Sequence, residues 1–222
     1  DTGYDQSHED IASKVDDFRV FTGEASIQDG HGHGTWTASI AAANTGNGVG
    51  VAGVAPQARL IIGKVLNDSG SGAWSWVAEG ITWAADRNAD IISMSLGGKC
   101  RGGPFSGCNT LEAAVNYAWN NGVLLVAAAG NGGTSGTEYP GKFANVIAVA
   151  ASDADDQRAW FSDYGVVAAP GVAILGAFPD CNAGETFALQ GSGLECGYDY
   201  GNGTSASTPI VAGVAALVWG AQ

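Results

Sequence analysis

Short apolar runs rich in isoleucine and valine alternate along the chain with longer segments whose apolar residues recur at helical spacing. Five runs have the length and composition of buried strands, namely residues 59–66, 90–95, 124–129, 146–151 and 166–169. Parallel strands covered on both faces have this apolar character, and the segments between them supply crossover helices. The pattern predicts an α/β fold, a three-layer doubly wound parallel sheet with helices on both faces.

Two helices are predicted between the first three of these strands. The apolar positions of the first helix are Trp76, Val77, Gly80, Ile81 and Ala84. In the second helix, Asn109 can form the N-terminal cap and Gly122 can end the helix. No linker or change of composition divides the chain, so a single domain over residues 1–222 is predicted.

The charge balance of the chain excludes one class of partner. The 222 residues include 9 Lys+Arg and 22 Asp+Glu, giving a net charge of −13, which opposes binding to a phosphate backbone and excludes nucleic acid as a partner. The apolar runs at 123–129 and 214–221 are much shorter than the roughly 18 residues of a membrane span, so no membrane partner is expected.

The four cysteines fall in two local pairs within glycine-rich sequence, Cys100 with Cys108 and Cys181 with Cys196. They lack C-x-x-C spacing, which argues against zinc and favours two small disulfide loops, although four cysteines allow three connectivities. Disulfide bonds form in oxidising compartments, so we expect a secreted, extracellular protein.

Three polar residues stand at positions suited to catalysis. His33 lies in a glycine-rich turn that leads into a helix of small residues, where the helix dipole keeps an imidazole neutral, as a general base requires. Ser205 lies where a glycine turn becomes an apolar helix, so neighbouring N–H groups can receive an oxyanion. Asn131 ends an apolar strand and can donate a second hydrogen bond to that oxyanion. The alternatives are a capping histidine, a capping serine and an ordinary turn asparagine. His8 and His31 are interpreted as solvated loop residues.

Together the segments resemble the subtilisin family of serine proteases, the subtilases of peptidase family S8. The matching segments are Asp1-Thr2-Gly3, His33-Gly34-Thr35, Ser95-Leu96-Gly97-Gly98, Ala129-Gly130-Asn131 and Gly203-Thr204-Ser205-Ala206-Ser207-Thr208-Pro209. They occur in the family's order, with the aspartate first, the histidine second and the serine third, and the resemblance covers essentially the whole chain.

The resemblance implies a role for each matching residue. Ser205 would be the nucleophile, His33 would take and return its proton, and Asp1 would orient the imidazole and stabilise its charged form. Asn131 and the Ser205 amide would form the oxyanion hole. The edge that pairs with the substrate backbone would consist of Ser95, Leu96, Gly97 and Gly98, and the walls of the S1 pocket, which takes the residue before the scissile bond, would include Ala128, Ala129 and Gly130.

By the same resemblance, Glu138 would lie at the floor of this S1 pocket. A carboxylate in a partly desolvated pocket favours a basic partner, so we expect tolerance of, or preference for, Lys and Arg beside large apolar residues. The alternative is that the short loop around Glu138 turns this side chain out to solvent.

The loop ANTGNGVGV resembles the family's calcium loop, in which oxygen ligands gather round one Ca²⁺. The matching ligands are the side chains of Asp10 and Asn47 and the carbonyls of Thr45, Val49 and Val51. No organic cofactor is expected.

The chain departs from the family pattern in two places. Trp36 stands where the family usually has a second histidine, which affects packing rather than the triad. The family's aspartate ends an apolar strand, whereas no strand precedes Asp1 in this sequence. We therefore expect the catalytic core of a longer protein, without its opening strand, its propeptide and a C-terminal helix.

The sequence predicts a monomeric, secreted endopeptidase that acts on proteins and peptides through an acyl-enzyme and is matured from its own propeptide. One alternative is an inactive subtilisin fold that serves as a binding module. The other is an acyl transferase or peptide cyclase on the same fold, which nothing in the sequence separates from a hydrolase.

Overall fold

The computed structural model describes residues 1–100, 107–181 and 186–221. Within these residues the strands are β1 (Val15–Val20), β2 (Leu60–Lys64), β3 (Ile91–Met94), β4 (Leu124–Ala128), β5 (Ile147–Ser152), β6 (Val167–Pro170), β7 (Ile174–Ala177) and β8 (Tyr198–Gly201). The helices are α1 (His33–Ala42), α2 (Trp74–Asp86), α3 (Cys108–Asn120) and α4 (Thr204–Gly220), and short 3₁₀ turns lie at Ala12–Lys14 and Ala188–Ser192.

All five predicted strands are present, as β2 to β6, with each end within two residues of its predicted position. The sequence pattern misses β1, whose residues VDDFRV carry three charges, and the antiparallel pair β7 and β8. The prediction that Asn109 caps α3 is wrong. This helix begins at Cys108 after Gly107, which has a left-handed backbone (φ 69°), so Asn109 lies inside the first turn.

The central sheet pairs β3, β4, β5 and β6 in parallel, in that order. Side chains of β4 alternate between its two faces. Leu125 and Ala127 join the core cluster formed with α2 and α3, whereas Val126 packs with Val149 and with Ala212 of α4. Helices α2 and α3 therefore cover one face and α4 covers the other, which confirms the predicted layers.

The first sheet is separate from the central one in the part of the chain that the structure describes. β1 pairs in parallel with β2, and neither of them pairs with β3. A cavity of about 570 Å³, which we term the inter-sheet slot, lies between β2 and β3 and is bordered by α2, α4 and Asp1.

Two disulfide bonds have the pairing that the sequence favours, Cys100–Cys108 and Cys181–Cys196, with Cα–Cα distances of 5.8 and 5.6 Å. The first precedes α3, and the second closes the loop between β7 and β8. None of the described helices has both the length and the apolar character needed to cross a bilayer.

Candidate active site

Asp1 and His33 form a hydrogen-bonded pair. The Oδ1 atom of Asp1 lies 2.8 Å from Nδ1 of His33, and the same oxygen accepts a hydrogen bond of 2.8 Å from the backbone N–H of Thr2. Because a carboxylate only accepts hydrogen bonds, Nδ1 carries the proton and Nε2 remains free to accept another. The pair has the geometry of an orienting carboxylate and a general base.

The position of His33 follows from the glycines around it. His33 is the first residue of α1, and Gly32 before it adopts φ 101°, which only glycine adopts without strain. A Cβ atom on Gly34 would lie 2.2 Å from the carbonyl oxygen of Gly3, so this glycine allows the start of α1 to approach the segment after Asp1. The sequence HGT therefore brings His33 against Asp1.

Ser205 is the second residue of α4, and two features hold it there. Pro209 has no N–H to donate to the Ser205 carbonyl four residues earlier, and Oγ of Ser95 donates to that carbonyl instead, at 2.7 Å. The Ser205 hydroxyl donates to the Ser95 carbonyl at 3.5 Å, and no hydrogen bond joins it to His33 among the described residues.

Two free hydrogen-bond donors face the same space beside Ser205. Oδ1 of Asn131 accepts hydrogen bonds from the N–H (2.9 Å) and hydroxyl (3.1 Å) of Thr204, which directs Nδ2 away from that residue. A Cβ atom on Gly203 would lie 3.5 Å from the Ser205 nitrogen and 3.6 Å from Nδ2 of Asn131. Neither donor has a partner in the described part of the chain, so the pair can receive an oxyanion.

Two opposing influences act on the pKa of His33. Burial of the imidazole is the largest cause and lowers this pKa below its ordinary value of 6.5, and the Asp29 carboxylate acts in the opposite direction. The Asp1 carboxylate also favours the charged imidazole, since a negative charge at hydrogen-bond distance stabilises the imidazolium. Burial thus favours neutral His33, which can accept a proton, and the carboxylates favour its charged form.

A cleft of about 490 Å³ contains most of the predicted site residues. Its lining includes His33, Ser205, Asn131, Ser95, Leu96, Gly97, Ala128, Gly130 and Glu138. Ala129 does not line the cleft, and its N–H and C=O pair with Val149 and Glu138. Gly98 is also outside the cleft, because its peptide groups pair with Tyr139 at 3.0 and 3.1 Å. The backbone edge that faces the cleft therefore ends at Gly97, and the next residue, Gly98, is paired with Tyr139.

Glu138 lies in the wall of this cleft, between two glycines. A Cβ atom on Gly97 would be 2.9 Å from Oε2 of Glu138, and one on Gly130 would be 2.8 Å from its Cγ. Burial raises the pKa of the Glu138 carboxyl, and the nearby Asp163 carboxylate raises it further. Asp163 itself is buried and bonded to Gly132 and Thr134, so Glu138 provides the negative charge of this cleft wall.

Asp10, one of the proposed calcium ligands, contacts Asn47, Val51 and Tyr198 of β8. The buried Asp10 carboxylate accepts hydrogen bonds from Nδ2 of Asn47 (2.6 Å), the N–H of Val51 (2.9 Å) and the hydroxyl of Tyr198 (3.0 Å). The carbonyls of Thr45, Val49 and Val51 accept no hydrogen bond from described residues, and no described cluster of three His, Cys, Asp or Glu side chains could hold a metal. This all-oxygen donor set suits Ca²⁺ if the Asn47 carboxamide presents its oxygen.

The interpretation of His8 as a solvated residue is wrong. Its side chain is fully buried, with Nε2 donating to the Gly197 carbonyl (3.0 Å) and Nδ1 accepting from the N–H of Asp10 (3.2 Å). His31 is half-buried in the cleft lining rather than solvated, and its Nδ1 has no hydrogen-bond partner among the described residues. Trp36 is buried and stacks on Phe178, so its role is packing, as expected.

Three hydrogen-bonding roles that support the site are not predicted from the sequence. Thr204 orients Asn131, Ser95 anchors the start of α4 through its side chain, and buried Asp29 binds the loop that carries His33. The first two lie inside the matched segments, so their position was visible in the sequence but their hydrogen bonds were not. Asp29 stands four residues before His33, and only the folded loop reveals its role.

The subtilase family model matches residues 1–222. The chain is 45% identical over 222 residues to thermitase from Thermoactinomyces vulgaris, in an alignment covering 98% of this chain and 72% of that protein. It is 42% identical over 222 residues to a thermophilic serine proteinase from Bacillus sp. (strain AK1), covering 98% of this chain and 50% of that protein. Subtilisin Savinase from Lederbergia lenta is 46% identical over 200 residues, 88% of this chain and 66% of that protein.

Among solved structures, sphericase superposes with a TM-score of 0.82 at 35% sequence identity, covering 99% of this chain and 74% of sphericase. The chain thus spans about half to three quarters of the length of the proteins it matches.

Proposed function

The chain belongs to the subtilase family, and from that premise we propose that it is a secreted serine endopeptidase that hydrolyses peptide bonds of proteins through an acyl-enzyme. The observation that carries the proposal is that His33, the Ser205 hydroxyl and the two free donors from Asn131 and Ser205 lie at one cleft. Asp1, which borders the inter-sheet slot, is hydrogen-bonded to Nδ1 of His33.

In the first half of the reaction, the Ser205 hydroxyl attacks the substrate carbonyl and Nε2 of His33 takes the hydroxyl proton. The carbonyl oxygen becomes an oxyanion that accepts hydrogen bonds from Asn131 Nδ2 and the Ser205 N–H. The Asp1 carboxylate holds Nδ1 and stabilises the imidazolium. His33 then gives the proton to the leaving amine, and the acyl group remains on Ser205.

In the second half, a water molecule gives a proton to His33 and attacks the acyl-enzyme. The same donors hold the second oxyanion, and His33 returns the proton to the Ser205 oxygen as the acid leaves. No metal or organic cofactor is required at any step in this scheme.

Substrate binding follows from the free backbone of the cleft. An extended peptide can pair with the peptide groups of Ser95 and Gly97, which gives broad sequence tolerance because main-chain groups are shared by all residues. Glu138, in the wall between Gly97 and Gly130, would add tolerance of Lys or Arg at the residue before the scissile bond.

We also propose that Asp10, Asn47 and the carbonyls of Thr45, Val49 and Val51 hold a structural Ca²⁺. The support is the all-oxygen donor set and the contact between Asp10 and Asn47. Bound there, the ion would stabilise the loop after α1 and would take no part in the chemistry.

The remaining expectations belong to the same proposal. The two disulfide bonds are consistent with secretion. The inter-sheet slot has room for an extended apolar strand between β2 and β3 that would end at Asp1 and join the sheets, which supports a catalytic core completed by further chain. We also propose that the protein matures from a propeptide, that its catalytic core includes a C-terminal helix, and that it is a monomer.

The test is hydrolysis of denatured casein by the protein and by its Ser205→Ala variant. We expect turnover by the parent and none by the variant, with unchanged melting temperature, because the acyl-enzyme needs the hydroxyl and the packing does not. A folded parent without turnover would favour the binding module, whereas amide products formed with an added amine would favour a transferase or cyclase.

A further inference from the structure

Asp29 is a buried carboxylate with an unusual number of hydrogen bonds. Only 1% of its surface is exposed, and its two oxygens accept five hydrogen bonds. Oδ1 accepts from the Thr2 hydroxyl (2.8 Å) and from the N–H groups of His31 (3.2 Å) and Gly32 (2.8 Å). Oδ2 accepts from the N–H (2.8 Å) and hydroxyl (2.7 Å) of Thr35.

These donors lie on both sides of the catalytic pair. Thr2 follows Asp1, whereas His31, Gly32 and Thr35 surround His33. The Thr2 hydroxyl that donates to Asp29 also accepts a hydrogen bond of 2.8 Å from the N–H of Gly34. One carboxylate therefore ties the segment that carries Asp1 to the turn that carries His33.

The charge of Asp29 has no cationic partner within 4 Å among the described residues. The buried ammonium of Lys64 contacts Asp68 and Glu24 instead, together with the Thr2 carbonyl. A buried carboxylate that lacks a counterion acts at longer range through a poorly screening interior. His33 lies within that range, because Asp29 accepts hydrogen bonds from the N–H groups of Gly32 and Thr35 on either side of it, and the Asp29 carboxylate raises the pKa of His33.

We propose that Asp29 is a positioning residue for the catalytic pair. It holds Asp1 and His33 in their relative positions and supplies a second negative charge that stabilises the His33 imidazolium. The proposal rests on the proposed function of the site. Asp29 itself does not touch the reacting atoms, since its oxygens are saturated by Thr2 and the 31–35 turn. The positioning and the effect of the charge can be measured separately.

The charged groups around His33 define the expected pH effect. They are the Asp1 carboxylate on Nδ1, the Asp1 α-amino group, Asp29, and the His31 ring, whose centroid lies 6.2 Å from that of His33. Activity needs neutral His33 and falls as the pH drops through its pKa. Removing the Asp29 charge lowers that pKa, so the acid limb of activity must move to lower pH.

The experiment compares the parent with Asp29→Asn, using kcat, KM and the pH profile of kcat/KM on a peptide substrate. We expect kcat to fall by about 10- to 100-fold, as for a misplaced catalytic group, with KM changed by less than about threefold and the acid limb at lower pH. A folded Asp29→Asn variant with the parent's kcat and acid limb would overturn the proposal.

The matched control is Asp5→Asn. Asp5 is also fully buried and accepts hydrogen bonds from Ser7, Gln28 and Asp180, but its carboxylate makes no bond to the 31–35 turn. It should lose stability without a shift of the acid limb, and an equal shift in this control would contradict a specific role for Asp29.

A second variant covers the case in which Asp29→Asn does not fold. Thr2→Val removes the hydrogen bond to Asp29 and the one that the Thr2 hydroxyl accepts from Gly34, and it keeps the Asp29 charge, so kcat should fall while the acid limb stays in place. An unchanged kcat in Thr2→Val would then overturn the positioning role. If the parent itself shows no turnover, the proposed function fails rather than the role of Asp29.

Discussion

Replacing Glu138 by Gln tests how the cleft selects its substrate. The substitution keeps the size of the side chain between Gly97 and Gly130 and removes its charge. The assay compares two chromogenic peptides that differ only in Lys or Phe before the scissile bond. The measured quantity is the ratio of their kcat/KM values, because effects on folding and on the chemical step cancel in that ratio.

The magnitude follows from the position of the carboxylate. A charge-assisted hydrogen bond contributes about 1.5–3 kcal/mol, and the cleft is open to solvent, so the lower end of about 1.5 kcal/mol applies. That value corresponds to roughly a tenfold change. We therefore expect Glu138→Gln to lower the Lys to Phe ratio about tenfold, mainly through slower cleavage after Lys.

The pH dependence gives an independent check on the same residue. Only the ionised carboxylate attracts Lys, so the Lys preference is present above the pKa of Glu138 and is lost as the pH falls through it. Burial raises that pKa, so the loss should begin at a higher pH than for an exposed glutamate. In Glu138→Gln this pH dependence of the ratio should disappear.

The control is Glu112→Gln, which removes an exposed carboxylate from α3. It should leave the Lys to Phe ratio at the parent value. Glu138 takes no part in substrate selection if Glu138→Gln also leaves the Lys to Phe ratio unchanged, or if the parent excludes Lys at all pH values.

Three further outcomes are expected. Asn131→Leu should lower kcat by about 100- to 1,000-fold with little change in KM. Mutagenesis of a subtilisin itself established this magnitude for such a donor. A kcat near the parent value would exclude Asn131 from the oxyanion hole. EDTA should lower the melting temperature of the parent relative to millimolar calcium, because an ion that binds only the folded state stabilises it. Asn47→Ala should abolish that difference. Identical melting curves of the parent in EDTA and in calcium would count against the site. Dilute hydrogen peroxide should leave activity intact, because Ala206 follows the nucleophile and Met94 is buried in β3, whereas rapid loss with modification near Ser205 by mass spectrometry would contradict this.

The sequence predicts the central sheet and its helices well because their apolar periodicity is strong. β2 to β6 and the faces of α2 and α3 are all found where the pattern indicates. The pattern misses β1 because consecutive aspartates interrupt its alternation, and it misses β7 and β8 because each is only four residues long and they pair across about twenty intervening residues.

The sequence predicts only those site residues that stand in short motifs. Asp1, His33, Asn131 and Ser205 stand in matched segments; His33, Asn131 and Ser205 line one cleft, and Asp1 is hydrogen-bonded to His33. Asp29 and buried His8 could not be recognised, because a carboxylate or an imidazole in a loop looks the same in sequence whether water or five protein donors surround it. Gly98 shows the same limit, since its pairing with Tyr139 joins residues far apart in the chain.

The most direct measurement of the central claim is covalent labelling by a serine-directed acylating inhibitor, read by mass spectrometry of the intact protein and of its peptides. We predict one added group per chain, located on Ser205, with loss of activity in proportion to labelling and no labelling of Ser205→Ala. Activity that survives complete labelling, or a label on another serine, would contradict the assignment of Ser205 as the nucleophile.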